Sequence, residues 1–129
     1  MQVLERRQNK SENRSRIAAK AFFNLVKEWG LTNEQQIILL GSPSKATFHR
    51  WKKGAVKEFS RDTLERISYL LGIYKALHII FNRPEQANTW IHRENQAELF
   101  AGKSALQYML QGKISHLYEV RKYLDAQRG

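Results

Sequence analysis

The spacing of apolar residues constrains this chain more than any other feature: every long segment repeats at three or four positions, and none repeats at two. Over residues 16–29, Ile17, Ala21 and Leu25, flanked by Ala18, Phe22, Val26 and Trp29, follow an i, i+4 rule that lines one side of a helix. Gly30 stands where such a helix closes. Thr32 with Gln35 three positions on is a capping-box start for a short helix that ends at Gly41. Beyond the break Ser42, Pro43, Ser44, a basic segment around Phe48 and Trp51 runs to Gly54. Ser60 caps a longer helix in which Leu64, Ile67, Leu71, Tyr74, Leu77 and Phe81 advance along one side, until Asn82, Arg83 and Pro84 stop it. Short helices are expected over residues 85–92 and 104–110, and a last one over 115–126 with Leu117, Val120 and Leu124 inward. The fold class is all-α.

With 129 residues, 42% of them hydrophobic, the chain has enough apolar mass for one core. Residues 1–14 are polar and charged and read as a flexible basic arm; they hold no apolar run of the kind a secretory signal needs. Residues 15–75 form an N-terminal helix-turn-helix bundle, which the long helix joins to a small C-terminal helical domain, 76–129. The densest apolar stretch, residues 70–81, is broken by Gly72, Lys75 and His78, so no membrane span is expected. The absence of cysteine removes disulfides, thiolate zinc sites and thiol nucleophiles, and fits a cytoplasmic setting.

Charge is unevenly spread. Residues 1–75 hold 15 Lys and Arg against 7 Asp and Glu, whereas 76–129 hold 7 against 5, within a formal net charge of +10. The excess belongs to the first half, where it favours a polyanion, and the second half suits a mixed protein contact.

In the segment KATFHRWKKG, Phe48 and Trp51 point to one side at 100° per residue, while Ala46, His49, Arg50 and Lys53 make the opposite face. A helix-turn-helix places its second helix in the major groove in this manner, with exposed side chains on base edges and flanking cations on phosphates. His49 and Arg50 are the base-edge candidates, and Lys45, Lys52 and Lys53 the phosphate candidates, with Thr47 in the same DNA-binding set. A solvated basic face is the competing reading.

Catalysis has little to work with. His49, His78, His92 and His116 make no metal-ligand spacing, and no glycine pair builds a phosphate-cradling loop, so no catalytic residue, metal or cofactor is assigned. His78, inside an apolar helix, reads as a hydrogen-bonded core or interface residue. Asp62 and Glu65 follow the Ser60 cap, where the helix dipole accounts for them. Trp29, Trp51 and Trp90 read as core anchors.

The run LTNEQQIILLG, then FHRWKKG, SRDTLERISYLLGIYKALHIIF and LFAGKSALQYMLQGKISHLYEVRKYLDAQRG resembles the Xre/MbcA/ParS type of antitoxin from about residue 16 to 129. Trp90, Asn95, Phe100, Gly102, residues 109–112 and the Leu124-Asp125 ending carry the C-terminal half of the match. The family often has prolines where this chain has Glu94 and Ala105. The resemblance implies a cytoplasmic antitoxin of a type II toxin-antitoxin system. It implies two partners, a cognate toxin, most often an NAD-consuming RES-domain protein, and the operator DNA of its own operon. It further implies that the C-terminal region occludes the toxin's active site, which makes Arg121, Tyr123, Asp125, Arg128 and Gly129 the toxin-binding candidates, with the end of the chain as a plug. A homodimer is expected as well, because a two-fold operator suits paired helix-turn-helix units and because Tyr69, Tyr74 and His78 exceed what one helical stripe needs. The alternative is a free-standing helix-turn-helix regulator whose C-terminal half only dimerises.

Overall fold

A computed structural model describes residues 2–129, and the side chains of all of these except 2–5 and 8. It is all-helical: α1 is Gln2–Glu28, α2 Asn33–Leu39, α3 Lys45–Lys52, α4 Arg61–Ile80, α5 Pro84–Thr89, α6 Ala105–Met109 and α7 Ile114–Gln127, with one 3-10 turn at Trp90–His92. No strand forms among the described residues; a lone antiparallel bridge joins Glu94 to Ser104.

The helix expected to begin near residue 16 begins at Gln2, so most of the stretch read as a flexible arm is instead the first half of α1. No glycine or proline interrupts residues 2–28, and Gln, Glu, Arg and Lys are good helix formers. The buried face of α1 is Ser15, Ala19, Phe22, Leu25 and Val26, continued by Trp29 just past its end, so the apolar line expected through Ile17 is rotated: Ile17 is 63% exposed.

The caps expected from the sequence at Thr32 and Ser60 are in place, and Ser44 and Ser104 add two that it did not single out. Thr32 and Gln35 exchange hydrogen bonds of 2.9 and 3.2 Å across the first turn of α2. Ser44 and Ser60 accept from Thr47 and Thr63 at the starts of α3 and α4. Ser104 and Gln107 form a second capping box, which starts α6.

Helix α4 is the spine. Its buried residues Ile67, Leu70, Ile73, Ala76 and Leu77 serve two sides, α1 and α7. It therefore buries more than one stripe, and Leu64, Leu71 and Tyr74 from the expected line are only half-buried. Phe22, Trp29, Phe48, Phe100, Met109 and Leu117 all lie in one continuous core that runs through both halves of the chain. Each such side chain contributes about 1.5 to 3 kcal/mol by leaving water.

Candidate nucleic-acid interface and C-terminal face

Helices α2 and α3 meet through a turn in which Gly41 and Ser42 take positive φ, 93° and 61°. The turn is closed by Gly41 N–H on Ile38 O at 3.1 Å and Ser42 N–H on Ile37 O at 2.9 Å. Behind it, Arg66, 8% exposed, donates to Asp62 at 2.9 Å and to the Leu39 carbonyl at 3.5 Å. A Cβ at Gly41 would stand 3.1 Å from Arg66 Nε, so this glycine also lets the ion pair close against the turn. On the other side, the buried hydroxyl of Ser15 accepts from the Phe59 N–H at 2.9 Å and ties α1 to the segment that precedes α4.

Phe48 is fully buried, with Phe23 of α1 at 5.8 Å between ring centroids, and Trp51 is half-buried against Phe59 at 4.7 Å. This fixes which face of α3 looks outward. Lys45, Ala46, His49, Arg50 and Lys53 are exposed. Thr47 is half-buried, and its hydroxyl accepts from Ser44 Oγ and from Arg50 Nη2, both at 3.0 Å. It orients Arg50 more than it offers itself. Lys52 is turned back: its Nζ donates to Asn33 Oδ1 at 3.0 Å and lies 5.9 Å above the Phe48 ring. A helical wheel already puts Lys52 within about 40° of Phe48, away from the outer face.

The sequence reading missed cations supplied by other elements. Arg16 of α1 and Lys57 border the same groove as Arg50, and Lys20 of α1 borders a second groove with Lys53. Only the fold brings these together; their own segments carry no motif.

The C-terminal candidates divide. Leu117, Val120 and Leu124 are buried as expected and hold α7 on α4. Arg121, expected to be free, is half-buried against Gly72 of α4, where a Cβ would collide with its guanidinium, and it donates to Asp125 at 3.0 Å. Tyr123 is half-buried too, its ring 5.2 Å from Phe100 and 6.3 Å from Trp90. Asp125 takes Arg121 on one oxygen, and Arg128 approaches the other at 3.8 Å. Arg128 and Gly129 are exposed.

The three residues expected to serve a second copy are engaged within the chain. Tyr69 packs on Tyr118 at 5.8 Å, Tyr74 on His78 at 4.1 Å, and His78 Nε2 bonds Asn88 Oδ1 at 3.0 Å. The interaction of its hydroxyl with the Glu28 side chain, then burial and the Glu28 charge, push the Tyr74 phenol up to about 12.

No helix among the described residues is long and apolar enough to cross a membrane, and no cluster of three or more His, Cys, Asp or Glu there is placed to hold a metal. Residues 9–72 match the antitoxin Xre-like helix-turn-helix domain, and residues 76–129 match the antitoxin Xre/MbcA/ParS C-terminal toxin-binding domain. The chain is also similar to the uncharacterized protein y4oB of Sinorhizobium fredii (strain NBRC 101917 / NGR234), 48% identical over 121 residues that cover 92% of each.

Proposed function

Because this chain belongs to the Xre/MbcA/ParS antitoxin family, with a helix-turn-helix domain and a toxin-binding domain in tandem, we propose that it neutralises a cognate RES-type, NAD-degrading toxin and represses its own operon in the cytoplasm. It acts by binding and not by catalysis. The observation that carries the reading is the separation of two faces on one core: the cationic outer side of α3, and the exposed end of α7.

On the DNA side, Arg50, held by Thr47, and His49 read base edges, while Lys45 and Lys53 take phosphates. Lys52 contributes field more than contact, since it is engaged with Asn33. On the toxin side, Asp125, Arg128 and Gly129 enter the cleft, with Arg121 and Tyr123 supporting them from the α4 and aromatic sides. Self-association remains part of the proposal, with its surface moved to the outer groove between α1 and α4, where Ala18, Leu64 and Leu71 stand half-buried.

The test is to recover the tagged chain from its native host with whatever it binds. A co-purifying RES-domain protein that consumes NAD alone but not in the complex supports the reading. Recovery of DNA and of a second copy alone would favour the free-standing regulator.

A further inference from the structure

Helix α1 carries a line of cations that the reading of α3 leaves unused. Arg16, Lys20 and Lys27 fall within about 40° of one another at 100° per residue, and all three are exposed. The line runs beside α3, on the side of Phe23, whose ring meets Phe48. Arg16 and Lys20 border a groove whose far wall holds Trp51 and Lys53; Lys27 borders the next, with Thr32 and Asn33; Lys52 lies on both. Arg16 also reaches the groove that holds Arg50. Through Arg16 and Lys20 the line joins the outer face of α3, and Lys27 carries it on toward Lys52 and Asn33.

Two simpler accounts fall short. Cations in the last turn of a helix offset its dipole, which covers Lys27, Lys52 and Lys53 but not Arg16 and Lys20 in the middle of α1. Neutralisation by neighbours is incomplete: Glu12 meets Arg16 at 3.6 Å in an exposed pair, and Glu58 borders the Arg16 and Arg50 groove. An exposed pair of that kind is weak and exchanges readily for a phosphate.

We infer that α1 is a second DNA contact, in which Arg16, Lys20 and Lys27 hold phosphodiester oxygens of the strand flanking the groove that α3 enters. This rests on the DNA-binding reading of α3 above. From Arg16 to Lys27 the helix advances about 16 Å, enough for its side chains to meet successive phosphates of one strand. Such contacts add affinity and orientation without sequence preference.

The experiment titrates the full chain, from 50 to 200 mM salt, with a duplex covering the region immediately upstream of its gene and with a scrambled duplex of the same composition. The triple variant Arg16→Ala/Lys20→Ala/Lys27→Ala is expected to flatten the slope of log K against log salt by about 2.7, so that it loses roughly 40-fold less affinity over that range, equally on both duplexes. The charge-preserving Arg16→Lys/Lys20→Arg/Lys27→Arg variant is expected to keep the wild-type slope. An unchanged slope in the triple variant, alongside weakened binding by Arg50→Ala, overturns the α1 contact and leaves the α3 reading standing. Wild-type protein that bound neither duplex would overturn both. Loss of preference between the duplexes in the triple variant would overturn a role confined to phosphates.

Discussion

The guanidinium of Arg121 in α7 lies against the backbone of Gly72 in α4, in the space that a Cβ at position 72 would fill. A glycine inside a helix costs about 1 kcal/mol against alanine, and here that cost makes room for an arginine which in turn holds Asp125. The contact joins the helix that spans both halves to the segment proposed to meet the toxin.

A double-mutant cycle reads this contact. Gly72→Ala in an Arg121→Ala background is expected to raise stability by about 0.5 to 1 kcal/mol, the gain in helix propensity. In the wild-type background the same change displaces Arg121 and gains less. Urea unfolding of the four proteins measures the difference, and equal gains in both backgrounds would show that the two residues are not coupled.

Asp62→Asn removes the anion that Arg66 leans on while Arg66 stays 8% exposed behind the α2–α3 turn. Asp62 itself is 54% exposed, so the expected loss is about 1 to 2 kcal/mol and not that of a fully buried pair. A variant as stable as wild type in urea would contradict the role given to this pair.

Tyr74 gives a pH signature. Its pKa rises on folding from 10.0 to about 12, so the neutral phenol is the form the fold favours, and the stabilisation is fully present below pH 10 and lost as pH climbs toward 12. The wild-type melting temperature should fall more steeply between pH 10 and 12 than that of Tyr74→Phe. Parallel curves would mean that Glu28 does not hold the phenol.

Much of this architecture was legible before any coordinates. Thr32 with Gln35, and Ser60, mark helix starts because a side-chain oxygen three positions before an orphan N–H is a local device, and Phe48 and Trp51 orient α3 by spacing alone. What stayed hidden depends on what faces a helix. Arg121 and Tyr123 look free on a wheel of α7, yet one is seated on a glycine 49 positions earlier and the other on Phe100 and Trp90. The stripe on α4 was likewise too narrow, because that helix is buried on two sides. Arg16 and Lys20 join the face of α3 only through the packing of α1, which their own segment does not announce.

In the function proposed above, neutralisation resides in the end of α7 and is separable from DNA binding. Leu117, Val120 and Leu124 anchor that helix, while residues 126–129 are exposed, so removing 126–129 should leave folding and affinity for the upstream duplex unchanged. Growth of cells that co-express the toxin encoded beside the gene is the decisive reading. The truncated chain is expected to fail to restore growth, whereas an Arg50→Ala variant, expressed from an unrelated promoter, restores it fully. Rescue by the truncated chain together with failure of Arg50→Ala would rule out neutralisation by the end of α7 and assign protection to repression.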